Sequence, residues 1–121
     1  MAALGDGGAA MSIAELDTVA RLRPDMLIVV YNDDAYGAEV HHFGPDGHDL
    51  TTVRLPATDF ASIARGFGLD AVTVRRTGDL DPVTRWAARR VAGDLQRPLL
   101  VDAKVTDDGG SWWLRDAFRG H

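Results

Sequence analysis

The sequence predicts an α/β protein, built on an open parallel sheet with helices on both faces. Two continuous apolar runs, Met26 to Tyr31 and Pro98 to Val105, have the length and composition of strands that are buried between helices. Segments with helical periodicity alternate with these runs along the chain. Such alternation is typical of a parallel sheet with right-handed crossovers. We expect Met26–Tyr31 to be central, flanked by strands at Ala71–Val74 and Pro98–Val105.

The first strand is expected to be short. Met1 to Leu4 is an apolar run that stops at the glycine turn Gly5-Asp6-Gly7-Gly8, so only the end of a strand is predicted here. Ser12 and Glu15 have the spacing of a capping box, which predicts a helix that begins near Ser12 and ends at Pro24. The apolar stripe of this helix consists of Ala14, Val19, Ala20 and Leu22.

Two further helices follow from capping and periodicity. After a loop predicted from Gly37 to about Asp49, an amphipathic helix with Asp59 as its cap and Gly68 as its stop is expected. Its inward residues are Phe60, Ile63, Ala64 and Phe67. Asp81-Pro82 predicts the start of the last helix. Its inward residues are Val83, Trp86, Ala87, Val91 and Leu95.

Composition limits the possible functions. The 121 residues, of which 45% are apolar, suffice for one core, so residues 1–121 are interpreted as one domain. A net charge of −5 argues against nucleic-acid binding, and the absence of cysteine excludes disulfides and thiolate chemistry. No segment resembles a secretory signal or a membrane span. We therefore expect a cytoplasmic protein that does not bind membranes.

Polar residues follow the first two predicted strands at the edge where ligands bind in open parallel sheets. Gly5-Asp6-Gly7-Gly8 ends the first strand and Asn32-Asp33-Asp34 ends the second. Glycines allow close approach of a phosphate, but the carboxylate of Asp6 would repel it unless a cation lay between them. Carboxylates together with phosphate oxygens are typical Mg²⁺ ligands. The alternative is that Asp6 is a turn residue and Asn32–Asp34 a solvated loop.

These segments resemble a known family. Gly5-Asp6-Gly7, a helix, an apolar strand and Asn32-Asp33 are similar to the thiamine-diphosphate motif, which begins GDG and ends in two asparagines. The segments GDGGAAMSIAEL and VVYNDDAYG look like those of the acetolactate synthase, benzoylformate decarboxylase and pyruvate decarboxylase group. The resemblance continues more loosely through DFASIARGFG and RPLLVDAKV. It implies the carboxy-terminal, diphosphate-binding domain of an enzyme that uses thiamine diphosphate and Mg²⁺.

The resemblance also implies a set of metal ligands. Asp6 would be one side-chain ligand, Asp33 the second, and the backbone carbonyl of Ala35 a third. The family usually has asparagine where Asp33 stands. This departure adds a negative charge and leaves open whether Asn32 or Asp33 faces the metal.

Other residues are implied in cofactor and substrate binding. Gly5, Gly7, Gly8 and Tyr36 would form the cofactor-binding surface, with the amides of Gly7 and Gly8 available to the diphosphate. Glu39, three residues after Tyr36, corresponds to a glutamate that some decarboxylases of this group place near the substrate. Its alternative interpretation is a solvated loop acid.

The resemblance implies a partner and a substrate class. Family enzymes act on 2-oxo acids by decarboxylation or carboligation, and a glutamate on a separate pyrimidine-binding domain activates the cofactor. By the resemblance, this chain would have no such domain and would begin after the first helix and most of the first strand of its own domain. We therefore expect either a fragment of a longer enzyme or a chain that works with a separately encoded partner. The expected partners are a homo-oligomer or a chain that carries the pyrimidine-binding domain, and the isolated chain is expected to be inactive.

Two alternatives remain open. Gly5-x-Gly7-x-x-Ala10 also fits a dinucleotide-binding turn, with Asp33 placed for a ribose hydroxyl, although Asp6 has no role there. The other alternative is a non-catalytic interaction module. The short first strand and an aromatic tail containing Trp112, Trp113, Leu114 and Phe118 favour self-association through an uncovered edge or apolar face.

Overall fold

The computed structural model describes residues 1–93 and 97–106. In chain order the elements are β1 (Ala2–Gly5), α1 (Asp6–Met11), α2 (Glu15–Leu22), β2 (Leu27–Asn32), α3 (Gly37–Phe43), α4 (Phe60–Gly66), β3 (Asp70–Val74), a 3₁₀ turn (Thr77–Leu80), α5 (Asp81–Val91) and β4 (Leu99–Lys104). Leu95 and the aromatic tail residues lie outside the described residues.

The four strands form one sheet in the order β1-β2-β4-β3, and every pair is parallel. The predicted fold class and the predicted central position of β2 are confirmed. The predicted neighbours of β2 were wrong in one respect, because β4 lies between β2 and β3. After the crossover from β2 to β3 the chain passes back, and β4 fills the position between them.

The main core lies on one face of the sheet, beneath α1, α2 and α4. Ile28 and Val30 of β2 pack there with Phe60, Ala64 and Leu100. Because consecutive crossovers are right-handed, the return step from β3 to β4 places α5 on the opposite face. Trp86 of α5 lies there beside Val72 and Leu99, and its indole N–H donates to the Arg97 carbonyl at 2.9 Å.

The opposite face is covered less completely than the sequence predicts. Tyr31 was expected in a fully buried strand, but it is 51% exposed. The predicted inward stripe of α5 was also wrong in part, since Val91 is 92% exposed and Ala87 is exposed. This helix covers only the β3 and β4 end of the sheet, so its far side has no apolar surface to pack against.

The glycine turn and the capping box were wrong predictions. The chain is already helical from Asp6, and Ser12 comes at the end of α1 rather than at the start of α2. The Ser12 hydroxyl donates to the Gly8 carbonyl at 2.9 Å, and α2 begins without a side-chain cap. Leu16 is the buried residue of α2, while Leu22 of the predicted stripe is exposed.

A further helix, α3, occupies the first part of the predicted loop between Gly37 and Asp49. Val40 is its only buried residue, so the segment has no apolar stripe that would indicate a helix in the sequence. Glu39, which was expected in a loop, is therefore an exposed residue of the first turn of α3.

Beside β1 the core side of the sheet is open. An apolar cleft of about 160 Å³ lies between β1 and α2, lined among others by Leu4, Ile13 and Val19. β1 has only four residues, of which Ala3, Leu4 and Gly5 are exposed. That this strand is incomplete stays a prediction.

The helix predicted around Phe60 is confirmed, including its cap. The carboxylate of Asp59 accepts hydrogen bonds from the Ser62 amide at 2.8 Å and the Ser62 hydroxyl at 2.6 Å. Gly68, with φ +89°, follows the end of the helix. Of the four predicted inward residues Phe67 is the one that is exposed, at 38%.

Phe60 and Phe67 offer a matched test of this core. Phe60 is fully buried against β2 and β4, so Phe60→Ala is expected to lower the free energy of unfolding by about 3–5 kcal/mol. Phe67→Ala removes the same atoms from a site that is 38% exposed and should cost less, about 1–2 kcal/mol. Urea unfolding followed by circular dichroism measures both values, and equal losses would contradict the described core.

The Asp59 cap is expected to make stability depend on pH. Hydrogen bonds from Ser62 hold the pKa of Asp59 below its usual value, so the cap contributes fully above the unfolded pKa of about 3.9 and is lost as the pH falls through the lower folded pKa. Asp59→Ala should cost about 0.5–2 kcal/mol at neutral pH. Urea titrations at decreasing pH should show this difference shrinking. The exposed Asp46, changed to Ala, is the control for charge alone.

Candidate functional site

The two polar loops of the sequence meet at the carboxyl edge of the sheet. β1 pairs with β2, with Gly5 opposite Tyr31, so the residues after Gly5 and after Asn32 emerge side by side. The Ala35 amide donates to Oδ2 of Asp6 at 3.1 Å, which connects positions 29 residues apart. The convergence that the sequence predicts for neighbouring strands is confirmed.

Asp6 is the first residue of α1 and is only 3% exposed. Its Oδ1 accepts from the Gly7 amide at 2.8 Å, and its Oδ2 accepts from the Ala35 amide. A buried carboxylate costs much free energy unless it is hydrogen-bonded or paired with a cation. Each oxygen accepts one bond from these two amides, and a carboxylate offers about four acceptor positions. The remaining capacity suits a metal ion.

Residues 34–36 are held by backbone hydrogen bonds to residues 53–55. The Tyr36 amide donates to the Val53 carbonyl and the Leu55 amide to the Asp34 carbonyl, both at 2.8 Å. Ala35 and Arg54 are the antiparallel pair between these bonds. Ala35 and Arg54 are thus a non-hydrogen-bonded pair, in which the amide and carbonyl of each residue point away from the partner strand. The Ala35 carbonyl is therefore directed to the side on which its amide meets Asp6.

Asn32 is engaged in the scaffold of the site. It is 1% exposed, and its Nδ2 donates to the Thr58 carbonyl at 3.0 Å and to Oδ1 of Asp102 at 2.9 Å. Its Oδ1 accepts from the Asp34 amide at 3.2 Å. Both N–H donors of the side chain are used by these bonds. Of the two residues that the sequence left open, this arrangement favours Asp33 as the one that faces a ligand.

Asp33 lies beside the start of α3. A Cβ added to Gly37 would come within 2.6 Å of an Asp33 carboxylate oxygen, so the two residues are packed closely. Asp34, the next residue, has φ 57°, and the hydrogen bond from its amide to Oδ1 of Asn32 holds this left-handed conformation. The carboxylate of Asp33 thus leaves the chain at a sharp turn between two hydrogen-bonded residues.

The glycines of the first loop differ in their surroundings. A Cβ on Gly7 would lie 2.7 Å from Cδ1 of the Tyr36 ring and closer still to Cε1, whereas a Cβ on Gly5 or Gly8 would meet nothing within 4 Å. The Gly7 amide is bonded to Asp6, so it does not have the availability that the resemblance implied. Gly8 lies in the first turn of α1, where amides have no acceptor within the helix.

Residues that the sequence did not single out complete the scaffold. Asp102 and Lys104, near the end of β4, lie two positions apart and therefore on one face of the sheet. The Lys104 ammonium is 3.4 Å from Oδ2 of Asp102 and donates to the Thr58 carbonyl at 2.7 Å. The available signal was a charge pair at i and i+2 inside the apolar run PLLVDAKV.

The number of side chains that could hold a metal limits the site. Within residues 1–93 and 97–106, no group of three or more histidine, cysteine or acidic side chains is arranged to hold a metal. A metal at Asp6 and Asp33 would therefore depend on backbone and ligand oxygens as well, which is common for Mg²⁺. None of the helices described here is long and apolar enough to cross a membrane.

Three curated proteins are similar in sequence to most of this chain. The chain is 30% identical over 103 residues to benzoylformate decarboxylase of Pseudomonas aeruginosa, covering 82% of this chain and 18% of that protein. It is 30% identical over 115 residues to sulfoacetaldehyde acetyltransferase of Castellaniella defragrans, covering 93% and 19%. Pyruvate oxidase of Lactiplantibacillus plantarum matches at 30% over 105 residues, covering 86% and 17%. The chain thus spans less than a fifth of the length of these relatives.

A solved structure shares the fold. The thiamine diphosphate-dependent 4-hydroxybenzoylformate decarboxylase of Rhodococcus jostii RHA1 superposes with a TM-score of 0.70 at 23% identity, over 89% of this chain and 20% of that one. The family model "Thiamine pyrophosphate enzyme, C-terminal TPP binding domain" matches residues 1–103, which include both converging loops and most of β4. The dinucleotide-binding alternative is thereby set aside, and the chain belongs to the C-terminal cofactor-binding domains of the thiamine pyrophosphate enzymes.

Proposed function

We propose that this chain anchors the diphosphate of thiamine diphosphate through Mg²⁺, held by the carboxylates of Asp6 and Asp33 and by the Ala35 carbonyl. The observation that carries this proposal is the hydrogen bond from the Ala35 amide to the buried carboxylate of Asp6. It joins the two loops of the cofactor motif and brings the Asp6 carboxylate next to the backbone of Ala35. The donor set fits Mg²⁺, which takes one or two carboxylates together with backbone and phosphate oxygens.

Charge explains why a cation is needed. Asp6 is buried and Asp33 is half-buried, so at least two carboxylates with limited access to solvent would lie near the proposed diphosphate. In a partly desolvated cleft, like charges at contact distance repel by several kcal/mol. The ammonium of Lys104, which belongs to the scaffold beneath the loops, is bound to Asp102 and Thr58. A divalent ion between the carboxylates and the diphosphate turns this repulsion into attraction.

The bound cofactor supplies an electron sink for decarboxylation or carboligation of a 2-oxo acid. The residues of this chain fix the position of the cofactor: the loops hold its metal, and Gly8 presents a surface without a Cβ. Glu39, exposed on the first turn of α3, is proposed to lie near the substrate. Two of the named relatives, benzoylformate decarboxylase and pyruvate oxidase, are named after 2-oxo acids, which supports this substrate class.

A partner completes the proposed enzyme. The chain spans less than a fifth of its curated relatives, and the cofactor's pyrimidine ring requires protein surface beyond the diphosphate loops. We propose that a pyrimidine-binding domain, carried by a partner chain or by a longer protein of which this domain is one part, completes the site in an oligomer. This chain alone would then hold the diphosphate half of the cofactor.

Metal-dependent binding tests the proposed function. Calorimetric titration of the chain with thiamine diphosphate, and separately with inorganic pyrophosphate, should show binding with Mg²⁺ and a loss of about 100-fold or more with a chelator. Pyrophosphate isolates the half of the cofactor that this chain is proposed to hold, so the test does not require the partner. Asp6→Ala should abolish both the binding and its Mg²⁺ dependence.

Asp33→Asn is the matched comparison for Asp6→Ala. It removes one negative charge and keeps an oxygen donor, so affinity should be equal or higher. Asp46→Asn, at an exposed position, controls for the change in net charge. Equal affinity with and without Mg²⁺ in the unchanged chain, or normal binding by Asp6→Ala, would refute the proposed anchor.

Gly7 and Gly8 separate packing from ligand contact. Gly7→Ala places a Cβ in the Tyr36 ring and should lower the free energy of unfolding by about 1–3 kcal/mol. Gly8→Ala meets open space in a helix and should be neutral or stabilising by up to about 1 kcal/mol, yet it should weaken pyrophosphate binding. Thermal unfolding and calorimetry measure the two effects. A Gly8→Ala variant that binds normally would remove Gly8 from the site.

A further inference from the structure

The strand β4 carries a carboxylate in the core. Asp102 is 0% exposed and lies opposite Val30 in the sheet, on the face that α1, α2 and α4 cover. An unpaired charge at such a position would be strongly destabilising. Its two oxygens are instead shared among three donors that come from three different parts of the chain.

The groups that donate to the Asp102 carboxylate lie near the edge of the sheet where the cofactor loops meet. Oδ1 accepts from Asn32, the last residue of β2, at 2.9 Å. Oδ2 accepts from the Phe60 amide, the first residue of α4, at 3.2 Å, and lies 3.4 Å from the Lys104 ammonium. Asp102 therefore joins β2, α4 and β4 at one point beneath the cofactor loops.

Thr58 belongs to the same hydrogen-bond network. Its carbonyl accepts both from Nδ2 of Asn32 at 3.0 Å and from the Lys104 ammonium at 2.7 Å. Its amide donates to the carboxylate of Asp34 at 3.4 Å. The Asp34 amide in turn donates to Oδ1 of Asn32. The turn that carries Asp33 and Ala35 is thus connected to Asp102 by the buried side chain of Asn32 and, less directly, through Thr58 and Lys104.

We propose that Asp102 is a positioning residue that sets the conformation of residues 33–35 through Asn32 and, through that conformation, the geometry of the proposed Mg²⁺ site. The metal part of this inference rests on the proposed function. A carboxylate is the group that suits the position, because all of the surrounding groups donate: the Asn32 amide, the Phe60 amide and the Lys104 ammonium. An amide side chain would present one donor to these donors.

Asp102→Asn tests the proposal with little change in volume. The introduced NH₂ would face a donor, so Asn32 should lose its fixed orientation. Hydrogen exchange by NMR should become about tenfold faster at the Asp34 and Ala35 amides, while Ile28 and Val30 within β2 stay protected. In the pyrophosphate titration, the Mg²⁺ concentration for half-maximal binding should rise about tenfold at unchanged stoichiometry.

Two further variants guard the interpretation. Lys104→Met removes the contacts of the ammonium with Asp102 and Thr58 from a partly exposed position, so this variant should fold. It should show the same changes as Asp102→Asn to a smaller degree, and it replaces Asp102→Asn in the test if that variant does not fold. Asp79→Asn is the matched control, since Asp79 also accepts a backbone amide, that of Arg75 at 2.9 Å, but lies between β3 and α5. It should change neither readout.

The outcomes distinguish this inference from the proposed function. Unchanged exchange at Asp34 and Ala35, or exchange that rises equally at Ile28 and Val30, would overturn the positioning role, as would a lower stoichiometry with an unchanged Mg²⁺ midpoint. Exchange needs no ligand, so it judges the role of Asp102 in the loop even if the unchanged chain fails to bind pyrophosphate with Mg²⁺. That failure would count against the proposed metal anchor alone.

Discussion

The parallel pairing of β1 with β2 is the constraint on which the site depends. It runs in register from Ala2 and Ile28 to Gly5 and Tyr31, so both strands end at the same height and in the same direction. Two short loops that are far apart in sequence then start side by side, and a single hydrogen bond from Ala35 to Asp6 suffices to connect them. An antiparallel arrangement would have sent the two loops to opposite ends of the sheet.

How far the sequence determined this structure depends on how local each signal was. The strands β2 and β4 and the helix with its Asp59 cap were predictable, since apolar runs and caps are read within a few residues. Strand order was not, because the short run of β3 carries no information on its neighbour. Ser12 misled because a capping pattern cannot show that the preceding residues are already helical. Helix α3 was missed because only Val40 faces the core.

In the candidate site, too, the residues with local signals could be predicted and those that depend on distant contacts could not. Asp6 and Asn32–Asp34 could be found because glycines and acids after apolar strands form a recognisable pattern, and the resemblance to a cofactor motif added Ala35 and Tyr36. The roles of Asn32 and Asp102 could not, since their meaning depends on contacts across 70 residues of sequence. One carboxylate within a strand gives no indication whether it is buried. In the structure the side chain of Asn32 is hydrogen-bonded to Thr58, Asp102 and Asp34.

The length of β1 has a thermodynamic consequence for cofactor binding. Within the described part of the chain, β1 is an edge strand of four residues that pairs only with β2, and elements with few contacts open at low free energy. Asp6 follows β1 directly, so each local opening of this edge would also displace the buried carboxylate from Ala35. A ligand held by Asp6 would bind only the closed form and would therefore raise the stability of the edge by mass action. Affinity for the ligand and local stability of the strand would then be two measures of one equilibrium.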